Sequence, residues 1–247
     1  MWPNEGAGLA IARREPHMDN MLKFTPLLIA IAYGLALYHF SAWRTRRELD
    51  GASTELADPG LTALCDRMAQ ALGIDRIRVH IYEVAMVNGL AAPDGRIFIT
   101  RGFHDRYRAG EVTAEEMASV IAHELGHVAL GHSRRRMTDF AAQNAMRTAI
   151  AMVLNRFLPG IGGLIGNGLM SLLAARLSRA DEFEADAYAS ALLVKSGIGT
   201  APQVSLFEKL EHLTGAKGSG TPAWLLSHPK TELRIAAIAA NDERWSR

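Results

Sequence analysis

At 247 residues, 49% of them hydrophobic, the chain has material for one globular domain plus a membrane element. Lys and Arg (27) offset Asp and Glu (26) to a net charge of +1, and no basic patch interleaves with aromatics, which argues against nucleic acid as a partner. The single cysteine, Cys65, excludes an internal disulfide and any cysteine-built metal site.

Residues 1–23 read as a polar, disordered tail. Residues 24–43 (FTPLLIAIAYGLALYHFSAW) contain no Asp, Glu, Lys or Arg. As a helix this run extends roughly 30 Å, enough to cross a bilayer. Trp43 suits a membrane interface, and Arg44, Arg46 and Arg47 crowd the end where a cleaved signal would need small residues. An uncleaved, single-pass transmembrane anchor is therefore expected, with the lipid bilayer as a partner. Arg13, Arg14 and Lys23 before the span tie with the three arginines after it. Initiation at Met18 or Met21 would break the tie and put the following domain in the cytoplasm, with the periplasm as the alternative.

Beyond the anchor, Asp58 and Pro59 supply the N-cap and first position of a helix ending near Gly73, with Cys65 as a small core residue. Residues 77–84 alternate as a strand. Asp94-Gly95 marks a turn between Leu90-Ala91-Ala92 and a strand over residues 96–100, which predicts a hairpin.

The next helix is predicted over residues 114–137, opened by a capping box from Thr113 to Glu116. It carries His123-Glu124-Leu125-Gly126-His127 within an apolar run. Residues four apart share a helix face, so His123 and His127 can turn two imidazoles towards one ion. Glu124, about 100° round, can reach a water there without ligating. This is the HExxH arrangement of zinc proteases. Solvated histidines on a surface helix fit poorly, because the apolar flanks would bury them, and buried imidazoles need partners or a metal. His132, nine residues from His123, falls half a turn out of phase and is not expected to ligate.

Residues 149–174 are apolar but broken by Arg156 and Pro159-Gly160, and read as a hairpin of two short amphipathic helices. A further helix follows, with a predicted apolar stripe of Phe183, Ala187, Tyr188, Ala191 and Leu192. On it Glu182 and Asp186 lie four apart. A catalytic zinc takes three protein ligands, so Glu182 is the candidate third, and Asp186 can accept the free ring N–H of a ligating histidine. Asp181 and Glu184 are expected to be solvated; the alternative is that all four acids form an exposed charged face. Helices over residues 203–213 and 231–242 flank a loop at 215–221.

His123-Glu124-x-x-His127 followed by Ser178-Arg179-x-x-Glu182-x-x-x-Asp186 resembles the HtpX and BepA type of zinc metallopeptidase. That family is gluzincin in its ligands and also includes the CAAX prenyl proteases. Val87 to Ala92 and Gly95 to Gly102 resemble its edge-strand region. Ser227-His228-Pro229 with Thr231-Glu232-x-Arg234-Ile235 resembles its C-terminal His-Pro…Arg segment. The likeness implies one Zn2+ per chain on His123, His127 and Glu182, and it places His228 and Arg234 near the metal. There they are candidates to stabilise the oxyanion, His228 alternatively filling the open zinc position. It also implies protein quality control in a bacterial-type inner membrane, acting on misfolded membrane or envelope proteins.

The expected fold is mainly α with a small β-sheet or hairpin (α+β): a zincin-like domain over residues 55–243 behind the anchor. The expected reaction is peptide-bond hydrolysis with Glu124 as base. An exposed strand edge can hold an extended peptide by main-chain hydrogen bonds, a role assigned to Ile97, Phe98 and Ile99, with an ordinary core strand as the alternative. A membrane-tethered, chaperone-like peptide-binding module of the same fold is the rival reading. A di-iron bundle would need a second Glu-x-x-His, which the chain lacks.

Overall fold

A computed structural model describes residues 43–92, 94–132, 162–214 and 232–245, with isolated positions between 32 and 40 and at 135 and 228; side chains at 162–178, 211–214 and 243–244 lie outside the description. Residues 43–51 are helical. In chain order there follow β1 (Ser53–Glu55), α1 (Pro59–Leu72), β2 (Val79–Tyr82), β3 (Gly89–Ala91), β4 (Ile97–Thr100), α2 (Arg101–Arg108), α3 (Ala114–Ala129), α4 (Gly162–Lys195), α5 (Ala201–Thr214) and α6 (Glu232–Trp245). The fold is mainly helical with one small sheet, as the α+β expectation has it.

Local signals behave as their chemistry requires. Asp58 Oδ1 accepts from Leu61 N at 3.0 Å to open α1, and Gly73 closes it in the left-handed conformation at φ 69°. Leu61, Leu64, Cys65 and Met68 form the buried stripe of that helix. Burial, with Asp66 nearby, pushes the Cys65 thiol up to about 12, consistent with a small core residue.

The sheet runs β1-β2-β4-β3, with β2 and β4 parallel and the other pairs antiparallel. The hairpin is present: Leu90 pairs with Phe98, and Gly95 N donates to Ala92 O at 2.9 Å. Its second strand is nonetheless an inner one, which corrects the assignment of Ile97, Phe98 and Ile99 to an open edge. Ile97 and Ile99 join the main core with Val79, Ile81 and Ile121. Phe98 points the other way, into a smaller cluster with Leu49 and Ala92. A strand covered on both faces reads as a continuous apolar run. Among the described residues the edge beside β4 is β3.

The helix that bears the paired histidines starts at the predicted cap: Thr113 Oγ1 accepts from Glu116 N, and Glu116 Oε2 accepts from Thr113 N at 2.9 Å. It ends at Ala129, eight residues before the predicted 137, because Gly131 takes a left-handed φ of 71° and turns the chain.

α4 is one helix of 34 residues, so residues 162–174 run straight into the segment bearing Glu182. The other arm of the predicted hairpin and its Pro159-Gly160 junction lie outside the described residues. The buried face of α4 is Ala185, Ala189, Leu192 and Leu193, sharing only Leu192 with the predicted stripe. The difference follows from the carboxylates: Glu182 and Asp186 face inward, and their neighbours one turn on are buried with them. Where α4 crosses α3, a Cβ on Gly126 would stand 3.0 Å from the backbone of Ala185, so glycine permits the close approach.

Most of the 24–43 run lies outside the described residues. Of its described positions, Tyr33, Leu35, Phe40 and Trp43 are exposed. Among the described residues no helix is long and apolar enough to cross a membrane.

Candidate active site

α3 and α4 bring four donors together. His123 Nε2 and His127 Nε2 lie 3.1 Å apart, and Glu182 faces both, with Oε2 3.3 Å from His123 and Oε1 3.5 Å from His127. His228 enters from the segment before α6, its Nδ1 2.8 Å from Glu182 Oε2 and 3.3 Å from His123 Nε2. One donor atom from each of the four residues lies within 4.8 Å of the others, and all four residues are buried. Spacing along two helices accounts for the first three. His228 depends on tertiary placement.

The rings are held from behind. His123 Nδ1 meets Asp186 Oδ1 at 2.9 Å. Asp186 in turn accepts a two-pronged hydrogen bond from Arg234, Nε to Oδ2 at 2.6 Å and Nη2 to Oδ1 at 2.9 Å, while Arg234 Nη1 reaches Glu182 Oε2 at 3.3 Å. The guanidinium also lies 4.8 Å from the ring centre of Phe207 on α5. On the other side, His127 Nδ1 is 2.9 Å from His132 Nδ1.

Charge in this pocket is lopsided. Glu124, Glu182 and Asp186 are each about 1% exposed, and Arg234 is the guanidinium buried beside them. Burial alone would lower the His123 ring, but the adjoining carboxylates of Asp186 and Glu182 raise it to about 9. Burial would raise Glu182, yet His123 and His228 hold it far below the usual carboxylate range. Asp186 is lowered too, by Arg234 and His123 against the cost of its burial. Among the described residues, Glu124 Oε1 is buried and makes no hydrogen bond; His228 Nε2 stands beside it, 3.4 Å away. A buried carboxylate oxygen without a donor is costly unless a cation or a reacting group answers it. Imidazole and carboxylate donors in this number suit a borderline divalent cation such as zinc.

The model of Peptidase family M48 matches residues 55–242. The chain belongs to that family. Among curated M48-like relatives, it is 32% identical over 176 residues to Metalloprotease YcaL of Escherichia coli, covering 70% of this chain and 66% of that protein. Metalloprotease LoiP of the same organism is 30% identical over 167 residues, 64% of this chain and 61% of LoiP. Protease HtpX of Xanthomonas campestris is 28% identical over 217 residues, covering 71% and 70%. The chain thus spans somewhat under two thirds of the length of the first two relatives. The HtpX-type resemblance read from four motifs is the family found.

Within this M48 domain the structure brings together His123, His127, Glu182, Glu124, Asp186, His228 and Arg234. Two expectations change. Arg234 is engaged with Asp186 and Glu182 and is about 1% exposed, so its guanidinium braces carboxylates instead of facing a substrate oxyanion. Asp181 is buried, with Arg135 at 3.5 Å and His132 at 3.7 Å, whereas Glu184 is exposed as expected. Two contributors escaped the sequence reading. His132 was set aside on helical phase, although Gly131 signalled that the phase would be broken. Gly126, inside the motif, permits the approach of α4 to α3, a contact that spacing along one helix does not reveal.

Proposed function

We propose that this chain is a zinc-dependent metalloendopeptidase, with one Zn2+ held by His123, His127 and Glu182. The observation that carries the reading is the pairing of a buried four-donor cluster with a buried glutamate oxygen that lacks a hydrogen bond among the described residues, one residue along from a ligand. The family and the relatives named metalloproteases support it. When bound, zinc supplies a Lewis acid that polarises a scissile carbonyl and makes water acidic near neutral pH.

The chain's own groups supply the rest. Glu124 takes a proton from the attacking water and delivers it to the leaving amine. Asp186 fixes the tautomer and orientation of His123, and Arg234 keeps Asp186 charged and in place. His228, with Nδ1 on Glu182 and Nε2 towards Glu124, is the donor available to a developing oxyanion. Its place inside the donor group also favours a resting form in which it fills the position a substrate would take.

The proposed substrates are misfolded membrane or envelope proteins. The proposed setting is a bacterial-type inner membrane, the chain anchored through residues 24–43 and the domain on the cytoplasmic side. Exposure of Tyr33, Leu35, Phe40 and Trp43 supports an apolar surrounding for that segment. Zinc analysis of the full chain with a casein cleavage assay tests the chemistry. Glu124→Gln is expected to retain zinc and lose cleavage; cleavage persisting in that variant would overturn the role of base. Peptide binding by the wild type without chelator-sensitive hydrolysis would favour the chaperone-like module. A reporter fused after Arg247 tests the side of the membrane.

A further inference from the structure

The two ligating histidines are braced by unlike partners. His123 leans on a carboxylate that a guanidinium clamps. His127 leans on His132, a fully buried imidazole five residues along the chain. Had α3 continued, His132 would lie on a different face from His127. The left-handed turn at Gly131 ends the helix and folds His132 back, so that its Nδ1 comes within 2.9 Å of His127 Nδ1. The far side of the His132 ring meets acid: Nε2 is 3.2 Å from Glu184 Oε2 and 3.7 Å from Asp181 Oδ1. Arg135 stands 3.5 Å from that same Asp181 oxygen.

Only one proton arrangement satisfies this row when His127 ligates through Nε2, the nitrogen that faces Glu182 and His123. His127 then carries its proton on Nδ1 and donates it to His132 Nδ1. His132, neutral with Nδ1 as acceptor, carries its proton on Nε2 and donates to Glu184. Every ring nitrogen in the row has a role, and the row ends on a carboxylate at the surface.

We propose that His132 is a positioning residue for the metal site: it accepts the Nδ1 proton of His127, fixing that ring's tautomer and orientation, while Glu184 and Asp181 fix His132. The inference rests on the zinc reading above. It adds a second brace, built from one local turn, to the Asp186–Arg234 brace built from two helices. Partners of this kind change metal affinity by about 10- to 100-fold when removed.

The test is zinc affinity of the full chain by competition with a chromogenic chelator, a readout independent of turnover. His132→Phe keeps a ring but offers no acceptor and is expected to weaken zinc binding by roughly tenfold or more. His132→Gln offers an amide oxygen to His127 and an amide N–H to Glu184, and is expected to restore most of that loss. Wild-type affinity in His132→Phe, or a Gln variant as weak as Phe, overturns the proposal. Should His132→Phe fail to fold, the double variant Asp181→Ala/Glu184→Ala decides: weakened zinc binding supports the row, and unchanged binding overturns it. A wild-type chain that binds no zinc would instead defeat the metal reading itself, so the two failures are distinct.

Discussion

α3 carries two buried glutamates on one helix, Glu116 near its start and Glu124 at the paired histidines, each no more than 2% exposed. They differ in what answers them. Both oxygens of Glu116 are satisfied: Ser205 Oγ donates to Oε1 at 2.6 Å, Thr113 N to Oε2 at 2.9 Å, and Lys209 Nζ lies within 3.0 Å of either. Among the described residues, Glu124 has an oxygen with no hydrogen bond, in a pocket already crowded with carboxylates. Equal burial therefore marks opposite uses. A carboxylate with both oxygens engaged staples α3 to α5, whereas one with an oxygen left wanting is where the proposed base sits.

The sharpest way to break this contrast is to remove the charge at each position in turn. Glu124→Gln is expected to cut peptide hydrolysis by roughly 10²–10⁴-fold while leaving the unfolding midpoint unchanged or higher, since no satisfied hydrogen bond is lost. Glu116→Gln should do the reverse, lowering the midpoint with turnover near wild type wherever the protein is folded. Chemical denaturation beside a cleavage assay on both variants checks the pair. A destabilised Glu124→Gln with intact turnover would erase the distinction.

Arg234 sharpens the picture at the catalytic end. It answers Asp186 twice and Glu182 once from full burial, so Arg234→Met leaves two buried carboxylates without their guanidinium. Breaking such a pair from one side costs about 3–5 kcal/mol, to be read from denaturant unfolding of metal-free protein. Added zinc should recover part of that loss by mass action. If the variant is as stable as wild type, the electrostatic account of the pocket is wrong. Gly126→Ala comes next. Its methyl would sit 3.0 Å from the Ala185 backbone, forcing α3 and α4 apart where His127 and Glu182 meet. The expected cost is about 1–3 kcal/mol with weakened zinc binding; an unmoved affinity would show that the helices have slack there.

What the sequence revealed of all this depended on how local the cause was. The His123/Glu124/His127 group, its capping box, and the Glu182/Asp186 pair were legible because helix periodicity alone sets those neighbours. The α1 caps and the Asp94-Gly95 hairpin were legible for the same reason. Strand order was not, since nothing within residues 96–100 says that β2 will pair on the far side. The unbroken Ile97-Phe98-Ile99 run did hint that both faces are covered. His132 was lost by extending α3 through Gly131, and Asp181 because its partners, Arg135 and His132, lie beyond that same turn. Arg234 was placed near the metal by resemblance, but its grip on Asp186 is a contact between α6 and α4 that no spacing rule yields.

The smallest effect expected sits at the other end of α3 and tests the staple by acid. Burial works against the charge on Glu116, but Lys209, Ser205 and the Thr113 N–H outweigh it and hold the carboxyl below its ordinary value of 4.5. A carboxylate lowered on folding stabilises the protein fully above its unfolded value, and that contribution drains away as pH falls through the folded one. Hydrogen bonds to a charged acceptor of this kind make Glu116→Gln about 1–2 kcal/mol less stable at pH 7. Lys209 is partly exposed, so salt should trim the difference further. Denaturant titrations of wild type and variant from pH 7 down should show the gap holding to near 4.5 and then closing. A gap that stays constant into acid would mean that shape, and not charge, makes Glu116 the staple, and the contrast with Glu124 would lose its electrostatic basis.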